Sequence, residues 1–400
     1  MTTGRTVTFG DLVQGISAGV SLHGENRLPR LGEVGILTLS AVLGPRLDLA
    51  ACKAVSPELT QRLGPSIRAG TILMSRSNTP NLVGSCVYVE ESAADRYLPD
   101  LIWEIALRAD MSCDGRWLTE YLRGPEGRRM LVRAAAGTSK TMVKLSMSRL
   151  RRIKIPLPTL AAQRRAVYLN ERLSRLSEAL TSLGIAKRAL KRGLMQQLLD
   201  GGRRFPEFKR RPWIEVCLGE VFAERNEVNW PDLPLLSVTS DRGLILRHEL
   251  DKRDTSNPDK SRYKRVLPGD IAYNTMRMWQ GVSALSSLEG IVSPAYTVAI
   301  TTDRIHGPFM KHLFKSPPVV HLFFRYSQGL VDDTLNLKFD RFSKIKVRIP
   351  SDLEEQSRIA SVLDLCDEEI QLLEVLARET EEQKLALMSR LVSGEISVPA

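Results

Sequence analysis

The chain has 400 residues, of which 43% are hydrophobic and 26% are charged, and its formal net charge is +11. This length predicts about two to four compact units, and the composition is typical of a soluble globular protein. No apolar run approaches the roughly 18–20 residues of a membrane span, and the N-terminal stretch lacks the apolar core of a secretory signal. The five cysteines and five histidines are scattered, without a CxxC pair. We therefore expect a cytoplasmic protein with no membrane segment, disulfide framework or metal site.

Residues 1–155 are predicted to form the first globular segment. The runs VGILTLS, AGTILMS and GSCVYVE have the apolar and β-branched character of short strands, whereas LPDLIWEIALRA is predicted to be a helix. This mixture of strand and helix signals indicates an α+β or α/β segment.

Residues 156–202 are predicted to form one long helix. Pro156 and Pro158 prevent an earlier start, and Gly201 stands where a helix commonly ends. Apolar residues between them alternate at spacings of four and three, which is the pattern of a coiled-coil seam. The predicted seam residues are Leu169, Leu173, Leu176, Leu180, Leu183, Leu190 and Leu194. At about 1.5 Å per residue, about 35 helical residues would make a rod about 50 Å long.

Residues 203–349 are predicted to form a second globular segment, after the basic junction GGRRFPEFKRRPW. LPLLSVTS, GDIAYNTM and PAYTVAIT are strand-like, and GPFMKHLFKS is helical in character. Gly269 in this segment corresponds to Gly70 in the first, both opening a strand-like run. The second segment therefore repeats features of the first.

Residues 350–400 are predicted to form a second long helix that duplicates the first. One offset, without a gap, aligns Gln163 with Gln356, Leu180 with Leu373, Met195 with Met388 and Gly201 with Gly394. A match held in one register over so many positions indicates an internal duplication. The predicted seam residues of this copy are Ile359, Leu363, Cys366, Ile370, Leu373, Leu376, Leu387 and Leu391.

The two predicted helices carry opposite charge. Residues 160–204 have a net charge of +7, and residues 350–400 have a net charge of −8. Because an isolated amphipathic helix of this length would expose its apolar stripe to water, each helix needs a partner, and the oppositely charged copy is the simplest one. The alternative is that they are two unrelated surface helices covering separate cores.

The repeated phrases IPLPTLAAQRR and IPSDLEEQSR, with the helix endings LMQQLLDGG and LMSRLVSGE, resemble the specificity (S) subunit of type I restriction–modification systems. The resemblance covers essentially the whole chain. It departs from the family pattern at Ala161-Ala162, where an acidic residue is favoured, and at Ser351-Asp352, where proline is usual. The resemblance implies an α+β fold with two mixed target-recognition domains, residues 1–155 and 203–349, and two spacer helices that pair as an antiparallel coiled coil.

In this family each domain reads one half of a bipartite, asymmetric site in double-stranded DNA, and the helices set the gap between the half-sites. The resemblance implies partners rather than catalysis in this chain: two modification subunits that methylate adenine, and restriction subunits. No cofactor is expected in the chain itself, because S-adenosylmethionine, ATP and Mg would bind the partner subunits.

Two other classes of function compete with this interpretation. A single-chain methyltransferase would need an [ND]PP[FYW] motif, but the nearest strings, NTPN and NPDK, lack the second proline and the aromatic residue. No GxxxxGK[ST] phosphate loop occurs either. Pro99-Asp100 and Glu104 resemble the start of a nuclease site, but Ala106 stands where the lysine belongs. A coiled-coil scaffold that binds only proteins is the third class, and the basic charge of the globular segments argues against it.

Candidate DNA-binding residues are polar or basic side chains on predicted loops, suited to base edges or phosphates. In the first segment they are Ser75, Arg76, Asn78 and Thr79, and then Ser139, Lys140 and Lys144. In the second segment they are Asn274, Arg277 and Gln280, and then Asn336 and Lys338. The alternative for each group is an ordinary exposed turn whose polar groups bond to the local backbone.

Overall fold

The computed structural model describes residues 5–136, 142–239, 242–250, 256–331 and 334–392. The chain divides into two compact units: unit 1 contains Met1–Leu180 and Leu376–Ala400, and unit 2 contains Thr181–Val375. Both boundaries lie inside the long helices, so each unit contains one globular segment and part of each long helix. Within the described ranges, no helix combines the length and the apolar character that crossing a membrane requires.

Unit 1 contains short strands, short α-helices and the first part of a long helix. Its strands are β1 (Arg5–Thr8), β2 (Val13–Ala18), β3 (Gly35–Leu37), β4 (Cys52–Ala54), β5 (Ser66–Ile67), β6 (Ile72–Ser75), β7 (Ser77–Asn78), β8 (Cys86–Tyr88), β9 (Ala93–Tyr97), β10 (Ile102–Leu107), β11 (Ala135–Ala136), β12 (Val143–Leu145) and β13 (Lys154–Leu157). Its helices are α1 (Phe9–Leu12), α2 (Gly115–Arg123), α3 (Pro125–Ala134), α4 (Met147–Arg151) and the start of α5 (Leu160–Leu199).

Unit 2 contains the end of α5, a second set of short elements and most of a second long helix. Its strands are β14 (Trp213–Cys217), β15 (Phe222–Glu224), β16 (Leu236–Val238), β17 (Leu244–Leu246), β18 (Lys264–Val266), β19 (Ile271–Asn274), β20 (Ser283–Leu285), β21 (Gly290–Val292), β22 (Tyr296–Thr301) and β23 (Lys346–Pro350). Its helices are α6 (Leu218–Val221), α7 (Gly307–Leu313), α8 (Pro317–Tyr326), α9 (Phe339–Phe342) and α10 (Leu353–Val392), whose last part belongs to unit 1.

The central sheets of the two units have the same topology. Their strand orders are β2-β10-β6-β8 and β15-β22-β19-β20, and every pair is antiparallel. The third strand in each order, β6 or β19, follows a glycine with positive φ. These glycines are Gly70 at +82° and Gly269 at +93°. Glycine adopts this backbone conformation without steric cost. The duplication predicted from the sequence therefore extends through the globular segments.

Further sheets complete each unit. In unit 1 they are β1-β13, β4-β3-β9-β5 and β11-β12-β7, and in unit 2 they are β14-β23, β16-β17 and β18-β21. The pairs β1-β13 and β14-β23 bring the first strand of each segment beside the strand that leads into its long helix. Each unit has one apolar core that includes long-helix residues and a second core that lies wholly within the globular segment.

The prediction of a helix for LPDLIWEIALRA is wrong. Its centre is β10, which pairs with β2 on one side and β6 on the other. The first four residues of β10, Ile102 to Ile105, are all buried, so both faces of the strand contact the interior. A strand buried on both faces lacks the alternation that distinguishes it from a buried helix, and this explains the error.

The two long helices pair antiparallel, as predicted. In unit 2, Lys187 Nζ lies 2.6 Å from a carboxylate oxygen of Glu369, and Lys191 and Arg188 form ion pairs with acidic residues of α10. These cations belong to the basic copy and their partners to the acidic copy. The opposite charges inferred from the sequence therefore do meet across the helix pair. Within unit 1, Lys384 Nζ of α10 lies 3.5 Å from Ser174 Oγ of α5.

The predicted seam residues differ in burial along the two helices. Ile359, Leu363, Cys366, Ile370 and Leu391 are buried, and Leu373 is half-buried, whereas Leu376 is exposed. On α5, Leu180 is buried and Leu169 and Leu173 are half-buried, whereas Leu176, Leu183 and Leu190 are exposed. The half-buried and buried positions around Leu180 include Ser177 and Gly184. Small residues allow close helix approach, and an apolar pattern does not reveal them.

The glutamine of the repeated phrase makes the same buried contact in both copies. Gln163 Oε1 accepts a hydrogen bond from the backbone N–H of Asp114 at 2.7 Å, and Gln356 Oε1 accepts one from that of His306 at 2.8 Å. Asp114 and His306 are the N-cap residues of α2 and α7. In each copy the amide nitrogen also donates to the carbonyl of the proline before the long helix, at 2.8 Å and 2.9 Å. The glutamine therefore fixes each globular segment to its own helix.

Replacing Gln356 by alanine is expected to lower the free energy of unfolding of unit 2 by about 1–3 kcal/mol, because the N–H of His306 loses its acceptor. Gln197→Ala, at an exposed position of α5 in the same unit, is the matched control and should change stability by less than about 0.5 kcal/mol. Urea unfolding of the full chain measures both. Equal stability of the two variants would contradict the proposed role of Gln356.

Candidate nucleic-acid interface

Two of the predicted DNA-binding segments of unit 1 lie side by side. Strand β7 pairs with β12, so that Asn78 faces Val143 and Ser77 faces Lys144 across the ladder. The backbone N–H of Leu145, next to Lys144, donates to the carbonyl of Arg76 at 2.8 Å. These segments are far apart in sequence, and the fold joins them. We name Arg76, Asn78, Thr79 and Lys144 the unit 1 patch.

The side chains of the unit 1 patch differ in their surroundings. Thr79 and Lys144 are exposed, and the half-buried Arg76 places its guanidinium carbon 6.0 Å from the ring centre of Trp103. That arrangement orients the guanidinium through a cation–π contact. Asn78 Oδ1 accepts a hydrogen bond from the N–H of Thr79 at 2.8 Å, which fixes the turn after β7.

Ser75 is a correction to the predicted site. Its side chain is fully buried, and its hydroxyl donates to the carbonyl of Leu82 at 3.1 Å. It therefore shapes the loop and does not present a group to a ligand. Ser139 and Lys140 lie outside the described residues.

Unit 2 presents an equivalent turn after β19. Asn274 Oδ1 accepts a hydrogen bond from the N–H of Met276 at 3.0 Å, and Trp279 Nε1 donates to the carbonyl of Met276 at 3.1 Å. These bonds hold a single 3-10 turn between Arg277 and Gln280, both of which are exposed. The local hydrogen bonds therefore present two polar side chains to solvent.

The second predicted segment of unit 2 lies against this turn, as in unit 1. The N–H of Leu337 donates to the carbonyl of Thr275 at 2.9 Å, a bond equivalent to that between Leu145 and Arg76. Lys338 follows and is exposed, whereas Asn336 is half-buried. Asn336 Oδ1 is buried without a hydrogen-bond partner among the described residues. We name Asn274, Arg277, Gln280, Asn336 and Lys338 the unit 2 patch.

The sequence interpretation missed a group of arginines in unit 1. A shallow depression of about 280 Å³ is lined by three arginines. They are Arg133 in α3, Arg149 in α4 and Arg152 directly after α4. A signal was present in the sequence: residues 127–170 contain eleven lysines and arginines and no aspartate or glutamate.

One group of potential metal ligands occurs among the described residues, in unit 2. His312, Asp364 and Asp367 place their ligand atoms within 4.8 Å of one another. His312 Nε2 lies 2.8 Å from the Asp364 carboxylate, which also pairs with Lys311, and Asp367 pairs with Lys191. Burial lowers the pKa of His312 to about 4, so the ring is neutral at neutral pH. Since lysines already balance both carboxylates, the group fits a structural link better than a cation site.

No protein-family model and no curated protein sequence matches this chain. Solved structures do match over nearly its whole length. The type I restriction–modification S subunit from M. genitalium is 14% identical, with 97% of this chain and 96% of that one covered at a TM-score of 0.57. The HsdS subunit from Thermoanaerobacter tengcongensis is 16% identical, with 99% and 98% covered at a TM-score of 0.52.

A third structure comes from work on complex assembly and conformational transition of a type I restriction–modification system. It is 15% identical, with 98% of each chain covered at a TM-score of 0.58. At such low identities a likeness establishes the architecture. The chain has the fold of type I restriction–modification S subunits.

Proposed function

We propose that the chain is the DNA sequence-specificity subunit of a cytoplasmic type I restriction–modification complex. Each unit reads one half of a bipartite, asymmetric site in double-stranded DNA. The observation that carries this proposal is the pair of patches, which occupy equivalent places in the two units. The turns differ in their polar side chains, with Arg76 and Asn78 in one and Arg277 and Gln280 in the other. Reading two different half-sites requires equivalent backbone positions in the two units with different base-contacting side chains.

Charge supports a nucleic-acid partner over a protein-only scaffold. The two helix-containing segments, 160–204 and 350–400, carry net charges of +7 and −8, so the remaining residues carry +12. A basic globular part with exposed lysines and arginines matches the electrostatic requirement for binding the DNA backbone.

The long helices set the gap between the half-sites and dock two adenine-N6 methyltransferase subunits in this proposal. Support for docking comes from exposed leucines that the helix pairing leaves uncovered. In unit 2 these include Leu183 and Leu190 on α5 and Leu365 and Leu372 on α10, each pair separated by seven residues. A seven-residue repeat of exposed leucines suits packing against a further helix.

The chain itself is proposed to be non-catalytic. S-adenosylmethionine binds the methyltransferase subunits, and ATP and Mg serve the partner subunits, including the restriction subunits. The interface residues assigned above are basic, amide and hydroxyl side chains suited to recognition, and none of them is placed as a nucleophile or general base.

The direct test is to co-express the chain with the methyltransferase encoded beside it and to map methylated adenines by single-molecule sequencing. We expect a bipartite motif with a fixed gap of unread bases. Absence of methylation, or methylation of a short continuous motif, would overturn the proposal and favour the scaffold.

Matched variants then assign each half-site to a unit. Arg76→Ala in unit 1 and Arg277→Ala in unit 2 are each expected to relax one half of the motif only, since a lost contact to a base edge costs about 1–3 kcal/mol of discrimination. If either variant relaxed both halves equally, reading of one half-site by each unit would be wrong.

A further inference from the structure

A basic cluster occurs at the same place in both units. In unit 1 it consists of Arg133 near the end of α3, Arg149 in α4 and Arg152 just after α4. Helices α3 and α8 each have ten residues and begin with a proline, and a constant offset of 192 residues places Arg325 at the position of Arg133. The same offset relates the other two positions to residues of unit 2.

The equivalents of Arg149 and Arg152 in unit 2 are Arg341 and Lys344. The structure supports this register through one repeated backbone bond. The carbonyl of Ile153 accepts from the N–H of Phe9 at 2.7 Å, and the carbonyl of Ile345 accepts from the N–H of Leu218 at 2.8 Å. Helix α3 packs against α4, as α8 packs against α9. All three positions therefore carry a cation in both copies.

The three arginines of unit 1 are available to an external anion. Their side chains are exposed around the shallow depression, whose remaining lining is largely apolar. Among the residues that the structure describes, none of the three forms an ion pair with an acidic side chain. A cluster of like charges without neutralising carboxylates is electrostatically unfavourable in the absence of an anionic ligand.

The cluster adjoins the unit 1 patch along the chain and in the fold. Helix α3 runs directly into β11, and β12 runs into α4. Strands β11 and β12 belong to the sheet β11-β12-β7, which carries Asn78 and Lys144. A duplex whose bases contact the patch would thus bring its phosphates near the arginines.

The retention of these cations in both copies indicates a sequence-independent contact. The turns of the two patches have diverged in their side chains, as expected where two different half-sites are read. The phosphate backbone is the same at both half-sites, so residues that contact it have no reason to diverge. Guanidinium groups bind phosphate oxygens through paired hydrogen bonds.

We propose that Arg133, Arg149 and Arg152 in unit 1, and Arg325, Arg341 and Lys344 in unit 2, contact DNA backbone phosphates and hold each unit on the duplex regardless of sequence. This inference rests on the proposed function. The unit 1 cluster contributes more of the salt-dependent affinity, because the sequence segment that carries it contains no acidic residue. Residues 127–170 contain no acidic residue, whereas the aligned residues 319–362 contain six acidic residues and seven lysines or arginines.

The test is the salt dependence of DNA binding by the chain in complex with its methyltransferase. Two duplexes serve as probes: one containing the mapped methylation motif and one with a scrambled sequence of the same composition. A triple variant, R133Q/R149Q/R152Q, is compared with R325Q/R341Q/K344Q. The charge-matched control is R30Q/R46Q/R62Q, at exposed positions of unit 1 outside both the patch and the cluster.

We expect the unit 1 triple variant to reduce the slope of log affinity against log salt by about 2–3, since each phosphate contact contributes about 0.9. The loss should be equal on both duplexes. The unit 2 triple variant should reduce the slope by a smaller amount, and the control by less than either. Thermal melting establishes that all variants are folded.

The outcomes separate the inference from the function on which it rests. Failure of the unaltered complex to bind either duplex would overturn the proposed function itself. Normal binding with slopes in both triple variants equal to that of the control would overturn only the phosphate contacts. Loss of methyltransferase association with unchanged DNA binding would mean that the clusters bind an acidic protein surface. That outcome would also overturn the proposed phosphate contacts.

Discussion

Replacing Arg204 by alanine is expected to lower the free energy of unfolding of unit 2 by about 3–5 kcal/mol. Arg204 forms a two-pronged ion pair with Glu355, with Nε to Oε1 at 2.8 Å and Nη2 to Oε2 at 2.7 Å. Glu355 is fully buried, and its only other described side-chain partner is Trp213 Nε1 at 3.3 Å. The variant would leave a carboxylate in the interior without its cation.

The arginine also organises the junction before the second globular segment. Its guanidinium donates to the backbone carbonyl of Arg211 at 2.8 Å and lies 6.0 Å from the ring centre of Trp213. Because Glu355 belongs to α10, the ion pair joins the junction to that helix. Removing the guanidinium therefore breaks backbone contacts as well as the ion pair.

Arg358→Ala is the matched control for Arg204→Ala. Arg358 is 49% exposed and pairs with Glu207 and Glu354, which are themselves exposed to solvent. Exposed pairs of this kind contribute less than about 1 kcal/mol. Urea unfolding followed by tryptophan fluorescence measures both variants, since Trp213 lies beside the buried pair. Similar losses in the two variants would show that burial of Glu355 is not what makes the pair important.

The duplication and its helices could be predicted because they follow from strong local signals. Prolines, terminal glycines and a long apolar repeat fixed the two helices, and the match of Gln163 with Gln356 marked equivalent positions. The structure adds the reason for that match, which is a buried bond from each glutamine to an N-cap N–H of its globular segment. Such a bond joins residues about fifty positions apart, so local patterns cannot reveal it.

The candidate interface could be predicted only in part, because exposure depends on distant pairing. Lys144 and Asn78 lie on separate predicted loops, and only the ladder between β12 and β7 places them together. Ser75 ends a strand in which every residue is buried, so the usual alternation of inward and outward side chains does not apply to it. Arg149 and Arg152 are not among the predicted residues, although the sequence around them contains no acidic residue.

The burial of individual α5 leucines determines how much a charged substitution destabilises the helix pair. Leu180→Asp is expected to cost more than about 2 kcal/mol, because it places an unpaired charge at a position that is only 9% exposed. Leu183→Asp, three residues further along the same helix, is expected to cost less than about 0.5 kcal/mol, because Leu183 is already 47% exposed. Thermal melting of the two variants measures the difference.

This pair of variants separates the seam from the outer face of the helix. The apolar pattern of the sequence assigns both leucines to the seam, so it predicts similar losses for both. The structure instead buries Gly184 beside the exposed Leu183, and small residues at a seam permit close helix packing without contributing to an apolar pattern. An unchanged melting temperature for Leu180→Asp would contradict the helix pairing. A loss for Leu183→Asp as large as that for Leu180→Asp would instead restore the seam inferred from the sequence. If Leu183→Asp is stable but no longer retains the methyltransferase, the exposed leucines belong to the docking surface, because a leucine outside the seam can then matter only through a partner.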